Sequence, residues 1–227
     1  MSYQKNYAML KFACDTLGEL TDELVFVGGV TTCLYVDTDI ASEIRPTEDV
    51  DCVVEIANKN EYDAFQAKLR QKGFTHDIAK GAPICRFKFH DLLVLDVMPD
   101  DETILGFSNS WYKEGIKKKE SRQIENKEIY IFSLPYFLAT KFEAYSGRGK
   151  NDPRLSSDLE DIILVIDGIT KFDLSKYQTS TALQNYLSKM ALHCLNDKFM
   201  MEAIDGFLNG NQEKITKIIK RLNSMQV

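Results

Sequence analysis

Two strongly apolar runs that carry aspartates constrain this chain more than any other feature. Asp49 and Asp51 stand at the start of the run at residues 50–54, and Asp96 lies inside the run at residues 92–98. Side chains alternate between the faces of an extended strand, so Asp49 and Asp51 point the same way. If the two predicted strands are neighbours, three carboxylates meet at one edge of a sheet.

Carboxylates gathered in this way need a countercharge. Two of them 4 Å apart repel by about 4 kcal/mol at an effective dielectric of about 20, and a lone buried carboxylate costs several kcal/mol. Magnesium prefers carboxylate oxygens, and two metal ions can clamp the oxygens of a phosphoryl transfer. We therefore predict Asp49, Asp51 and Asp96 as catalytic, metal-binding residues, with Mg²⁺ or Mn²⁺ as cofactor. The alternative for Asp49 and Asp51 is a solvated turn or a helix N-cap.

Composition describes an ordinary soluble protein with a substantial core. The chain has 227 residues, of which 44% are hydrophobic and 27% charged, enough for one large domain or two small ones. The amino terminus lacks a signal-peptide pattern, and no apolar run approaches the roughly 20 residues that span a bilayer. The scattered cysteines contain no C-x-x-C spacing, which favours reduced, buried thiols in a cytoplasmic protein without zinc.

The charge pattern leaves two interpretations of one segment. A net charge of −6 argues against a generally basic surface that coats nucleic acid. A local basic run nevertheless extends from Lys113 through Lys117, Lys118 and Lys119 to Arg122. It is either a solvated face or a contact for a polyanion such as RNA.

Hydrophobic periodicity predicts strands in the first half of the chain and helices in the second. A buried strand at residues 24–27 runs into Gly28-Gly29, where a helix is predicted to open. Two further strands are predicted to be joined by a tight turn at His90-Asp91, and a small hairpin ends near residue 132. Four helical segments follow residue 157. The predicted domains are an α/β domain at residues 1–132 and a helical domain at residues 133–227.

The order of these motifs along the chain is similar to that of a known superfamily. A strand ending in Gly28-Gly29, an Asp-x-Asp one strand later and a third Asp on a neighbouring strand resemble the polymerase-β-type nucleotidyltransferases. Within that superfamily the chain most resembles the AbiEii-type enzymes, many of which are toxins of bacterial toxin–antitoxin pairs. The residues that carry this closer resemblance are Arg45-x-Thr47, Lys141-x-x-Ala144-x-x-x-Arg148 and Asp158-x-x-Asp161.

The resemblance covers residues 26–161, with two departures. Val30 replaces a small hydroxyl residue that often follows the glycines, and Ser157 stands where a basic residue commonly precedes the first late aspartate. The fold that the resemblance implies is α+β: a nucleotidyltransferase-type mixed sheet flanked by helices, followed by a helical domain.

The resemblance also implies roles for the nucleotide-binding residues. Gly28 and Gly29 would let the backbone approach a triphosphate, with Thr31 as a further phosphate contact. Arg45 and Thr47 would reach phosphate or position the aspartates. Lys141 and Arg148 are the remaining predicted nucleotide ligands.

Each of these roles has a plain structural alternative. The two glycines form a tight turn in any strand-to-helix connection, and a loop arginine such as Arg45 is often only solvated. Lys141 could be a surface lysine whose stem packs on apolar residues. Asp158 and Asp161 either accept hydrogen bonds from Lys141 or Arg148, or stabilise the first turn of their own helix.

The implied activity is transfer of a nucleoside monophosphate from a nucleoside triphosphate to an acceptor hydroxyl. The implied partners are the nucleoside triphosphate, an RNA or protein acceptor and an antitoxin, with no membrane. Two alternatives stay open. One is transfer of AMP to an antibiotic, which an acidic acceptor cleft would favour; the other is a nucleotide-binding module without turnover.

Overall fold

The computed structural model of the chain describes residues 2–37, 44–148 and 152–226. By internal contacts these residues form two compact units. The first contains residues up to Leu34 and Pro46–Ser133, and the second contains the described part of Tyr35–Arg45 together with Leu134 onward. The expected domain boundary at residue 132 stays a prediction. Within the described ranges, no helix combines the length and the apolar character that a membrane span requires.

The first unit is a mixed β-sheet with helices against it, as the sequence predicts. Helix α1 (Ser2–Leu17) ends where Gly18 takes a φ of 62°, a left-handed conformation that favours glycine. Asn58 caps helix α2 (Lys59–Gln71) by accepting a hydrogen bond from the amide of Glu61. A 3-10 segment at Gly18–Glu23 precedes the first strand, and another at Gly29–Leu34 follows it. The helices and strands are α1 Ser2–Leu17, β1 Leu24–Val27, β2 Val50–Val54, α2 Lys59–Gln71, β3 Thr75–His76, β4 Arg86–Phe89, β5 Leu93–Pro99, α3 Glu102–Leu105, α4 Tyr112–Lys117, β6 Lys119–Ile124 and β7 Lys127–Phe132.

The described strands form one sheet in the order β3-β4-β5-β2-β1-β7-β6. Strand β2 pairs in parallel with β5 and antiparallel with β1, and β1 pairs in parallel with β7. The outer pairs β3–β4, β4–β5 and β6–β7 are antiparallel. Strand β1 is buried along its whole length, which is typical of a central strand with neighbours on both sides and both faces covered.

The connection between β4 and β5 differs from the prediction by one residue. Phe89 pairs with Leu93, so the loop consists of His90, Asp91 and Leu92 rather than His90-Asp91 alone. His90 takes a φ of 50°, and the amide of Leu92 donates to the carbonyl of Phe89. The prediction of a two-residue turn was wrong, because Leu92 extends an apolar run in sequence yet lies exposed in the loop.

The second unit is helical. Buried apolar positions repeat along its helices, most fully on α6 (Ser157–Gly168), where every residue from Ile162 to Ile166 is buried. The side chain that caps α6 belongs to Ser156, which accepts from the amide of Leu159. A short 3-10 segment, Pro153–Leu155, precedes α6. The helices are α5 Leu134–Arg148, α6 Ser157–Gly168, α7 Thr181–Asn196, α8 Lys198–Phe207 and α9 Gln212–Asn223.

The cysteines behave as small core residues. All five lie within the described chain, and all are free and buried. Burial raises the pKa of Cys85 and Cys194 to about 12. These side chains therefore stay protonated at neutral pH and contribute packing rather than ionic chemistry.

Candidate metal centre

The register of the sheet brings the candidate residues into one row. Asp51 on β2 is paired with Asp96 on β5, and Asp96 is paired in turn with Arg86 on β4. Residues in register on neighbouring strands project from the same face of the sheet. Asp49 lies two residues before Asp51, immediately before β2 begins. Four charged side chains thus meet at one place, although they are widely spaced along the chain.

The three predicted aspartates do form a cluster. Asp49, Asp51 and Asp96 each offer a carboxylate oxygen within 4.8 Å of the others. Asp96 is buried, with 6% of its surface exposed, whereas Asp49 and Asp51 are half-buried. Carboxylate oxygens are hard donors that suit Mg²⁺ or Mn²⁺. Asp96 offers one from the buried side, and the half-buried Asp49 and Asp51 leave access for the waters that these ions keep as ligands. The residues present therefore fit a divalent cation.

Gly28 is required by the position of Asp51. A Cβ atom built at Gly28 would lie 2.0 Å from Oδ2 of Asp51, far inside van der Waals contact. The φ of Gly28 is 72°, so a larger residue would also be strained in its backbone. Strand β1 therefore ends in a residue that leaves room for a carboxylate of the cluster.

Arg86 is the residue that sequence reasoning missed. Its Nε donates to Oδ1 of Asp96 at 2.8 Å, and its Nη2 donates to Oδ2 of Asp96 at 2.7 Å. The same Nη2 also donates to Oδ2 of Asp49 at 2.9 Å. The hydrogen bonds to Asp96 are the largest cause of a raised pKa for Arg86, so the guanidinium stays charged. The carboxylates are thus partly neutralised by the protein itself.

Thr47 orients one of the carboxylates. Its hydroxyl donates to Oδ1 of Asp49 at 3.0 Å, and its amide donates to the side-chain oxygen of the fully buried Asn6 at 3.2 Å. Asn6 on α1 therefore fixes the backbone of Thr47, and Thr47 in turn fixes Asp49. Of the two roles that the sequence left open for Thr47, this contact supports positioning of an aspartate.

The turn after β1 is tightly bonded within itself. The hydroxyl of Thr31 donates to the carbonyl of Gly28 at 2.9 Å, and the hydroxyl of Thr32 donates to that of Gly29 at 2.7 Å. Gly29, Thr31 and Thr32 are all buried. The helix expected after the glycines is the short 3-10 segment. Phosphate contacts by Gly28, Gly29 and Thr31 stay predictions.

In the second unit, Lys141 is not a surface lysine. Its Nζ donates to Oδ1 of Asp158 at 3.0 Å and to Oδ2 of Asp161 at 2.7 Å, and only 7% of the residue is exposed. Burial opposes its charge, but attraction by Asp161 and Asp158 outweighs burial and raises the pKa of Lys141. Nη2 of Arg45 lies 3.4 Å from Oδ2 of Asp161, and its Nε lies 3.9 Å from Glu160. Arg45 and Lys141 therefore share one acidic partner.

Two further sequence predictions have mixed outcomes. The side chain of Arg148 lies outside the described residues, so its nucleotide contact stays a prediction. The basic run is partly neutralised: Lys113 pairs with Asp101 at 2.5 Å, and Arg122 pairs with Glu120 at 2.8 Å.

Comparison with known proteins supports the fold. No protein-family model matches the sequence, and no curated protein does either. The crystal structure of an antigenic nucleotidyltransferase-like protein from Paracoccidioides brasiliensis matches with a TM-score of 0.54. The match covers 91% of this chain and 94% of that one at 19% sequence identity. The chain therefore has the fold of a nucleotidyltransferase-like protein.

Proposed function

We propose that this protein is a metal-dependent nucleotidyltransferase that moves a nucleoside monophosphate from a nucleoside triphosphate to an acceptor hydroxyl. The observation that carries the proposal is the convergence of Asp49, Asp51 and Asp96 within 4.8 Å on the sheet of the first unit. The nucleotidyltransferase-like fold supports it independently. An acidic cluster of this kind repels a triphosphate unless cations intervene, so the proposal includes Mg²⁺ or Mn²⁺.

In the proposed reaction the acceptor oxygen forms a bond to the α-phosphorus, and the bond from that phosphorus to the bridging oxygen breaks. Pyrophosphate leaves with the electron pair, and the hydroxyl proton passes to a carboxylate oxygen of Asp96. Asp49 and Asp51 would hold the nucleotide's cation, and Thr47 keeps Asp49 oriented. The cations would supply positive charge that stabilises the phosphate oxygens while one bond to the α-phosphorus forms and the other breaks.

The remaining nucleotide contacts are part of the same proposal. Gly28 and Gly29 give the triphosphate a backbone without side chains to approach. Arg45, Lys141 and Arg148 would contact its phosphates, as the resemblance to AbiEii-type enzymes implies. For Lys141 such a contact requires exchange of a partner, because Asp158 and Asp161 hold its ammonium group.

We further propose an RNA or protein acceptor and a role as the toxin of a toxin–antitoxin pair. Support comes from the AbiEii-type motifs that flank the aspartates. Incubation with labelled nucleoside triphosphates, Mg²⁺ and total cellular RNA and protein separates the acceptor classes, because the labelled species is digested by either ribonuclease or protease. Induced expression should arrest growth if the toxin role holds.

The decisive variant is Asp96→Asn, with Asp77→Asn as its matched control. Both side chains are 9% exposed, and each is ion-paired to a basic side chain of β4. Asp77, however, pairs with Lys88, which lies outside the cluster. We expect Asp96→Asn to reduce labelling at least a hundredfold, because a general base contributes about 10²–10⁴-fold. Asp77→Asn should label like the wild type. Equal labelling by both variants would contradict the proposed function.

One observation favours a second candidate, a nucleotide-binding module without turnover. Both carboxylate oxygens of Asp96 accept hydrogen bonds from Arg86, so the proposed base is engaged. Such a module would bind nucleotide and metal in calorimetry while releasing no pyrophosphate with any acceptor. Release of pyrophosphate that depends on Asp96 excludes this candidate.

A further inference from the structure

Arg86 holds the oxygens that a divalent cation needs. Its guanidinium makes three hydrogen bonds of 2.7–2.9 Å, two to Asp96 and one to Asp49. Both of these aspartates belong to the carboxylate cluster. A divalent cation that binds Asp96 and Oδ2 of Asp49 therefore competes with the guanidinium for the lone pairs of these oxygens. Nothing else in the proposed reaction uses Arg86.

We propose that Arg86 is a displaceable countercharge that competes with the divalent cation for Asp49 and Asp96. Because of this competition, the affinity of the cluster for the cation alone is low, and it rises when a nucleotide is present. The inference deepens the proposed function and rests on it for the nucleotide; the competition with the cation follows from the contacts of Arg86 alone.

The net charge of the cluster depends on Arg86. Three carboxylates and one guanidinium carry a formal charge of −2, whereas without Arg86 the cluster would carry −3. A guanidinium in contact with two ligands both repels an arriving cation and blocks lone pairs that the cation would use. The side chain of Arg86 is 25% exposed, so the protein does not enclose it completely.

A nucleotide would change this balance. A planar guanidinium binds phosphate oxygens through two parallel hydrogen bonds, as it binds a carboxylate. A triphosphate would therefore offer Arg86 a new anionic partner at the moment when the cation takes the carboxylates. Metal and nucleotide then bind cooperatively, and by linkage each raises the affinity for the other by the same factor.

The test measures binding of Mn²⁺ to the full chain, by calorimetry and by electron paramagnetic resonance of the free ion. Arg86→Gln removes the charge, and Arg122→Gln is the matched control. Arg122 also lies on a strand of this sheet and pairs with a carboxylate, but that carboxylate is Glu120, outside the cluster. We expect Arg86→Gln to bind Mn²⁺ about tenfold more tightly than the wild type, with Arg122→Gln unchanged.

A nucleotide arm completes the test. A non-hydrolysable triphosphate analogue should tighten Mn²⁺ binding by the wild type several-fold more than by Arg86→Gln. Arg86→Lys keeps the charge without the paired donors and should lie between the two, which controls for a folding defect in Arg86→Gln. Circular dichroism reports the fold of each variant.

The competition is overturned if Mn²⁺ binds Arg86→Gln no more tightly than the wild type, or if it binds neither protein. The coupling is overturned if the analogue shifts both proteins equally. If Arg86→Gln binds Mn²⁺ more tightly than the wild type but the wild type never transfers a nucleotide, the proposed function is refuted. The role of Arg86 as a displaceable countercharge is then retained. The two failures are thereby distinguishable.

Discussion

Replacing Lys141 with methionine tests the buried ion cluster of the second unit. Lys141 is ion-paired to two aspartates at 3.0 and 2.7 Å, and the three side chains are at most 9% exposed. At an effective dielectric of about 20, each contact attracts by about 6 kcal/mol before the cost of dehydrating the charges. Methionine keeps the packing of the stem but leaves Asp158 and Asp161 without their shared cation.

The expected loss is about 3–5 kcal/mol of unfolding free energy near neutral pH, the usual cost of removing one partner from a buried pair. Arg45 remains 3.4 Å from Asp161 and keeps the loss within that range. In the wild type, the raised pKa of Lys141 means that the ion pairs act fully at neutral pH and are lost only at strongly alkaline pH.

Urea unfolding followed by circular dichroism measures the free energies, and Lys88→Met is the control. Lys88 pairs with Asp77 at 3.0 Å but is 39% exposed, so its loss should cost no more than about 1 kcal/mol. A Lys141→Met variant that is as stable as Lys88→Met would refute the reasoning.

Two further predictions concern the cluster and the core. Gly28→Ala should weaken Mn²⁺ binding, because its Cβ would displace Asp51. Gly106→Ala is the control, because Gly106 has a φ of 81° and no atom lies within 4 Å of the added Cβ. This variant should carry similar backbone strain yet bind Mn²⁺ normally. Equal calorimetric Mn²⁺ affinities of Gly28→Ala and Gly106→Ala would contradict this prediction. Burial raises the pKa of Cys14 to about 11 and of Cys33 to about 12, above the ~8.5 of an unfolded thiol. Stability should therefore be intact below about pH 8.5 and fall as the pH rises above it, and these thiols should react with Ellman's reagent only on unfolding; rapid reaction of the native protein would refute this.

Much of the architecture follows from local patterns in the chain. The apolar runs predicted strands β1, β2 and β5, and the 3.6-residue periodicity predicted the helical character of the second unit. The cluster of Asp49, Asp51 and Asp96 was also predictable. An Asp-x-Asp at a strand start fixes a common face, and a lone Asp inside an apolar strand demands a partner.

Arg86 shows why the rest of the site could not be predicted from the sequence. With the two-residue turn that the sequence favoured, residue 86 would have faced Leu95 rather than Asp96. The three-residue loop shifts the register by one, and a shift of one residue exchanges the faces of a strand. Loop length depends on whether Leu92 pairs within the strand or lies in the loop. Because Leu92 is apolar, the sequence predicted that it belongs to the strand. The expectation that metal ions supply the whole countercharge was therefore incomplete, because Arg86 supplies part of it.

The sequence by itself determined which side chains can hold charge and which segments are buried, because hydrophobic periodicity and backbone preference act over a few residues. Only the tertiary structure decided which charges meet. Strand register placed Arg86 against Asp96, and helix packing enclosed Lys141 between Asp158 and Asp161. Electrostatic interactions fall off over a few ångströms, so they depend on distances that local sequence does not encode.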